Sequence, residues 1–362
     1  MIWGSLNMPQ ISQAPLKKPK KQGLALLFLL VHKLKLRQEI LMQQDLYVLI
    51  DIGGTAIKSG VATIDGTLLE RHEMPTEAKP TEAQLEAAKQ SGTEIDSSKF
   101  GGPGIVSKVK KITAAALEKY GAQIKGVSIS TAGMVDPDQG KLVYALPDAI
   151  PDYTGVNFKE IVTGEFSLPC EVENDVNCAA LGEMWLGAGR GCHSVFCMTI
   201  GTSIGGAMIC NGKLISGASN SAGEIAYMRV PGGMLHSLAS TTYLVKYYAQ
   251  LRGESVDQVN GIRIFNEAES GDEVAIKAID ELIEHLTDGI TNVVSVQNPQ
   301  AVILGGGIMA REDYLRPRIE SALKEKLREI VFRATRIEFA KLRNDAGMLG
   351  GFYHFKQRRG LM

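Results

Sequence analysis

Glu173-Asn174-Asp175-Val176-Asn177 is the stretch best equipped for chemistry. A strand-like run closes at Val172, and Val176, Ala180 and Met184 then recur at helical spacing up to Gly187. Asn174 and Asp175 therefore stand at a strand-to-helix junction. Aspartate is a common N-cap there, and taken alone that role accounts for Asp175. A carboxylate in this position can also accept the proton of a hydroxyl as that hydroxyl attacks a γ-phosphate. What favours the second role is its place between two glycine-rich loops.

The first loop follows the apolar run 46–50. Asp51-Ile52-Gly53-Gly54-Thr55-Ala56-Ile57-Lys58 leads into a second strand-like run, 59–64, and an Asp65-Gly66 turn. Two buried antiparallel strands joined by a glycine-rich bend are expected. Glycine lets backbone N–H groups come close to an anion and form a concave nest for phosphate oxygens. An ordinary tight turn is the plainer reading, but the device recurs. The run 195–200 is followed by Gly201-Thr202-Ser203-Ile204-Gly205-Gly206, another apolar run and the hairpin pair Asn211-Gly212. The copies lie about 150 residues apart, roughly a domain length. Two related domains, each offering a phosphate loop to one ligand between them, are the expectation. A third cluster, Gly305-Gly306-Gly307, follows the apolar run 301–304. All three sit at the C-terminal ends of strand-like runs, where α/β sheets place ligands.

The remaining chain supplies the frame. At 362 residues, 44% hydrophobic and 22% charged, with net charge −1, it suits two globular domains. That charge points to neither nucleic acid nor an anionic membrane as partner. The five cysteines (Cys170, Cys178, Cys192, Cys197 and Cys210) form no CxxC pair, and reduced, buried thiols of a cytoplasmic protein are expected. Residues 1–45 look foreign to the rest. A lysine-rich stretch precedes an apolar run of eight residues, 24–31, too short for a membrane span of ~20 residues. A disordered extension, or a start placed ahead of Met42, is expected for this tail. Residues 70–104 read as a polar surface excursion with one short helix at 82–89. Helices are expected at 104–120, capped by Gly121, at 274–296 and at 346–358, and strands at 127–130 and 301–304.

The ordered set Asp51-Ile52-Gly53-Gly54-Thr55, Glu173-Asn174-Asp175-Val176-Asn177, Gly201-Thr202-Ser203-Ile204-Gly205-Gly206, Ala222-Gly223-Glu224 and Gly305-Gly306-Gly307-Ile308 resembles the ROK sugar kinases (repressors, open reading frames, kinases). Trp185-Leu186-Gly187 and Ala346-Gly347-Met348-Leu349-Gly350 look most like the family's glucokinases and β-glucoside kinases. The resemblance runs from Leu46 to the C terminus. It implies an α/β, actin-like ATPase (ribonuclease H-like) fold with two domains around a central cleft. The small domain would take 46–170 plus the helix 346–358, and the large domain 171–345. ATP and Mg2+ would be the cofactors, the magnesium carried by the nucleotide. Asp51 would order the magnesium-bound phosphate end. Gly53, Gly54, Thr55 and Lys58, with Gly201, Thr202, Ser203, Gly205 and Gly206, would cradle the phosphates. Gly305 and Gly306 would face the adenosine. Asp175 would be the base, and Asn174, Glu224, Tyr227 and the backbone at Gly133 would hold the sugar. A homodimer is implied as well.

This chain also departs from the family. Many members carry a histidine after the Gly-Glu pair, then a cysteine-rich zinc loop ending in a sugar-binding glutamate. Here Tyr227 replaces the histidine, His236 replaces the glutamate, and no cysteine follows Cys210. A structural zinc needs about four ligands, so none is expected. Ser203 stands where glycine is common. Phosphorylation of a hexose or β-glucoside, at O6, is the activity implied, with a non-catalytic sugar-sensing ROK protein (a transcriptional regulator or inactive kinase) as the alternative. A dinucleotide-dependent oxidoreductase would need GxGxxG after the first strand, which 51–56 does not supply.

Overall fold

The computed structural model describes residues 44–362. The expectations for the tail before Gln44 lie outside the described residues. The chain runs β1 (Leu46–Ile52), β2 (Ala56–Thr63), β3 (Leu68–Pro75), α1 (Glu82–Ser91), α2 (Gly101–Tyr120), β4 (Ile124–Thr131), β5 (Met134–Asp136), β6 (Lys141–Tyr144), α3 (Phe158–Phe166), β7 (Cys170–Asn174) and α4 (Asp175–Leu186). It continues through β8 (Val195–Ile200), β9 (Ile204–Cys210), β10 (Lys213–Leu214), β11 (Arg229–Val230), β12 (Gly233–Met234), α5 (Leu235–Ala239), α6 (Thr241–Arg252), α7 (Gly261–Glu269) and α8 (Glu273–Gln297). β13 (Ala301–Gly305), α9 (Glu312–Lys326), α10 (Glu329–Ala334), β14 (Arg336–Phe339) and α11 (Ala346–Arg359) complete it.

Two five-stranded sheets carry the fold, ordered β3-β2-β1-β4-β7 and β10-β9-β8-β13-β14. Each begins with an antiparallel hairpin, β1–β2 and β8–β9, and adds parallel strands beside the hairpin's first strand. The two halves thus repeat one plan, as the paired glycine loops imply. Strand alternation explains the continuous apolar runs. Leu46, Val48 and Ile50 face the core under α2, whereas Tyr47 and Leu49 face Phe352 and Phe355 of α11. In the second sheet Phe196 and Met198 join the large core with α6–α9, and Val195 and Cys197 pack against Leu181 and Met184 of α4. Both faces of each sheet are covered, so neither side of the central strands needs polar residues. Phe352 is fully buried, which contributes about 2–3 kcal/mol.

Three sequence expectations change. Residues 68–75 are not part of a polar excursion but form edge strand β3, paired with β2. The strand at Cys170–Asn174 pairs into the first sheet, although the expectation gave residues from 171 on to the large domain. The helix expected from Gly104 starts at Gly101. The helix 82–91, the long helix 273–297 and the last helix 346–359 lie where their periodicity places them. Among the described residues, no helix is long and apolar enough to cross a membrane.

Candidate active site

The junction of β7 and α4 sets the chemistry. Asn174, not Asp175, caps the helix: its Oδ1 accepts from the N–H groups of Val176 at 2.9 Å and Asn177 at 3.1 Å. Asp175 Oδ1 accepts from Asn174 Nδ2 at 3.0 Å and from the Val176 N–H at 2.9 Å. Among the described residues no group bonds its Oδ2. Burial pushes the Asp175 carboxyl up to about 7, with the Asp51 carboxylate and then that of Glu224 adding to the rise. A carboxylate near neutrality with one free oxygen is suited to take a proton from a hydroxyl.

Asp51 closes β1 in the first sheet. Ser130, on neighbouring β4, donates to its Oδ1 at 2.6 Å. Gly347, in the first turn of α11, lies against the same carboxylate, leaving no room there for a side chain. Burial raises the Asp51 carboxyl, against the lowering effects of Ser130 and Lys58. Lys58 itself, on β2, donates to Asn344 Oδ1 at 3.3 Å, across to the turn that precedes α11.

The two loops are held from behind. In the first, the Gly53 N–H donates to Ala56 O at 3.0 Å, and Thr76 grips the turn by donating to Gly53 O at 2.6 Å and Thr55 O at 2.9 Å. Gly54 and Thr55 remain exposed at the tip. In the second, the Gly201 N–H donates to Ser203 O at 2.9 Å. The start of α6 pins it: the Thr241 N–H donates to Gly201 O and Thr242 Oγ1 to Thr202 O, both at 2.8 Å. This loop ends at Ser203. Gly205 and Gly206 are inside β9, where both are closely packed. A Cβ on Gly205 would come within 2.6 Å of Val176 Cγ2, and one on Gly206 within 2.5 Å of Gly223 O.

A cavity of about 650 Å³ opens beside the second loop. Val245, Val259, Ile262 and Phe265 give it apolar walls, and Thr241, Thr242, Asn260 and Lys246 add polar groups. Gly307 and Ile308 border it. Gly305 and Gly306, expected to face the adenosine, line a second space of about 440 Å³ with Thr199, Arg343 and Asn344; Gly307 lines both. Gly306 has φ +107°, and a side chain there would overlap the Ile200 carbonyl. It is needed where the chain crosses the end of β8.

Glu224, whose charge acts on Asp175, stands at the N-cap position of a single 3-10 turn, Ile225–Tyr227, without a side-chain capping bond, and partial burial raises its carboxyl. The Gly133 carbonyl accepts from Asn174 Nδ2 at 2.9 Å. Both amide hydrogens and the oxygen of Asn174 are thus engaged within the protein. Its Nδ2 holds Asp175 Oδ1. Tyr227 is 62% exposed, its ring centroid 5.8 Å from that of His236.

The ROK family model matches residues 47–358. The chain belongs to the ROK family. An uncharacterised protein from Clostridium perfringens is 48% identical over 86% of this chain and 98% of its own. A β-glucoside kinase from Listeria monocytogenes is 32% identical, over 85% and 96% respectively. The crystal structure of a ROK glucokinase from Streptomyces griseus, in complex with glucose and AMPPNP, superposes with TM-score 0.65 at 29% identity, covering 84% of this chain and 97% of that one. The fold is the actin-like ATPase fold, with two domains.

As a ROK protein this chain holds its 228–240 segment without cysteines. β11 and β12 pair as a miniature hairpin, and Leu235 N–H donates to Met228 O at 2.9 Å. All five cysteines lie before the segment, and four of them are buried. Several site residues escaped the sequence reading. Ser130 is one of a run of buried strand residues, and nothing in its neighbours marks it as the partner of Asp51. Thr241, Thr242 and Asn260 come from helix starts whose capping sequences, Ser240-Thr241-Thr242 and Asn260-Gly261, were a readable signal.

Proposed function

We propose that this ROK protein is an ATP-dependent sugar kinase that moves the γ-phosphoryl group to O6 of a hexose or β-glucoside. The observation that carries the reading is Asp175: a carboxylate raised to about 7, with one oxygen tied down and the other free, between the two glycine loops. In this reading Asp175 Oδ2 takes the proton from the acceptor hydroxyl as its oxygen attacks the γ-phosphorus and ADP leaves. Asn174 fixes the carboxylate, and Glu224 and the backbone at Gly133 bind sugar hydroxyls beside it. The exposed Gly54-Thr55 and Thr202-Ser203 tips receive phosphate oxygens, aided by Lys58. The 650 Å³ cavity takes the adenosine, its apolar walls matching the base.

Mg2+ fits the same scheme. Asp51 offers a carboxylate with one oxygen held by Ser130, suited to water or metal at the phosphate end. Bound there with ATP, the ion would neutralise phosphate charge during transfer. The first-sheet unit with α11 and the second-sheet unit are the two domains that would close on the sugar and keep water from the phosphate. A cytoplasmic homodimer completes the reading, supported by buried cysteines and by the prevalence of twofold oligomers.

The test is ADP release with Mg-ATP against a panel of hexoses and β-glucosides, beside Asp175→Asn. Sugar-dependent turnover that collapses in the variant supports the kinase and its base. Sugar binding by calorimetry without turnover on any member would overturn the kinase and leave a sensor.

A further inference from the structure

Gly289 sits inside the 25-residue helix α8, where glycine costs about 1 kcal/mol relative to alanine. Leu235 explains it. A Cβ at 289 would lie 2.7 and 2.8 Å from the two Leu235 methyls and 3.4 Å from its Cγ. Leu235 is fully buried, so its side chain has no open direction in which to retreat. The leucine occupies the hole that the missing side chain leaves.

This contact reaches the sugar side of the cleft by a short route. Leu235 N–H donates to Met228 O at 2.9 Å, and Met228 N–H donates to Ile225 O at 3.0 Å. The second bond closes the 3-10 turn at whose N-cap position Glu224 stands. His236 follows Leu235 directly and faces the Tyr227 ring. The opposite flank of the turn rests on β9, where a Cβ at Gly206 would lie 2.5 Å from Gly223 O and 2.9 Å from Ile225 Cγ1. Gly206 of β9 thus packs directly on the turn, and Gly289 of α8 acts on it through Leu235.

We propose that Leu235 and Gly289 are positioning residues for the acceptor sugar, setting Glu224, Tyr227 and His236 by packing alone. The proposal rests on the sugar-kinase reading for its kinetic consequence. Its structural consequence is independent of that reading. Neither residue touches substrate. A contact that merely added stability would move the melting temperature and leave the Michaelis constants alone.

The experiment compares Gly289→Ala, Leu235→Val and the double variant L235V/G289A. The double variant keeps the number of side-chain carbons at the contact, and volume-conserving changes are the best tolerated. Expected for Gly289→Ala is a rise in sugar KM of about tenfold, from a loss on the scale of overpacking, with ATP KM unchanged within about twofold. Hydrogen exchange of the 224–240 segment should quicken in the same variant, and the double variant should restore both. Exchange is read without substrate, so it reports on the contact even if no sugar is turned over. Unchanged sugar KM and unchanged exchange in a folded Gly289→Ala protein would overturn the proposal. So would equal rises in both KM values, or failure of Leu235→Val to compensate. Should Gly289→Ala not fold, Leu235→Val alone must raise sugar KM selectively.

Discussion

Asn174 and Asp175 are neighbours in the chain and are also bonded side chain to side chain, Nδ2 donating to Oδ1 at 3.0 Å. The same asparagine caps α4 through its oxygen, so one residue starts the helix and aims the carboxylate. Serine can cap but cannot span to Asp175. Asn174→Ala should lower kcat about tenfold to a hundredfold, the scale of a hydrogen bond to a charged group, and should lower the melting temperature. Asn174→Ser should recover the melting temperature and not kcat. Steady-state kinetics beside thermal melts checks both.

The pH profile should carry the Asp175 signature. Its carboxyl titrates near 7 and must be ionised to act as a base. Activity should therefore climb through neutrality and level off above it. Asp51 is the larger of the two charges that raise this value. Asp51→Asn should shift the acidic limb of the residual activity to lower pH, as read from kcat/KM against pH.

Stability should run the other way. A carboxyl whose folded value exceeds its unfolded value binds more protons when folded between pH 4 and about 7. Stability is lost as pH rises through that window. Asp175→Asn removes the loss, so it should melt several degrees higher than the parent at pH 8 and with no gain below pH 4. Calorimetry at the two pH values decides it.

Lys58 reaches Asn344 at 3.3 Å across to the turn before α11. Lys58→Met should raise the KM for ATP about tenfold, the loss of one charge-assisted hydrogen bond, and leave sugar KM near its parent value. Kinetics with each substrate varied in turn provides the measurement.

Metal removal should divide catalysis from folding. Prolonged chelation should abolish activity, and Mg2+ alone should restore it. Circular dichroism and melting temperature should be unchanged throughout, because the 228–240 segment is anchored by Leu235 in the core rather than by soft ligands. A melting temperature that falls on chelation would point to a structural ion.

The parts of this molecule that the sequence discloses are those written locally. Asp51-Ile52-Gly53-Gly54-Thr55 and Gly201-Thr202-Ser203 announce their hairpins because apolar runs and glycines lie side by side in the chain. The long helix at 273–297 is plain from Ile279, Ile283, Leu286 and Ile290. β3 was hidden because an edge strand reading Leu-Leu-Glu-Arg-His-Glu-Met-Pro shows no alternation, its outer side meeting water. The exchange of roles between Asn174 and Asp175 was hidden too. Either residue type can cap a helix, and only the backbone geometry chooses. The cavity beside the second loop draws on α6, the segment before α7, and α7 itself, whose approach to Gly307 is a property of packing and has no motif.

The last helix belongs with the first strands. α11 lays Phe352 and Phe355 on Tyr47 of β1, yet it is encoded roughly 170 residues after β7 completes that sheet. At a translation rate of about 5–20 residues per second, a growing chain carries this apolar sheet face bare for roughly 10–30 s. A chain broken off before Ala346 keeps that sticky face for as long as it survives.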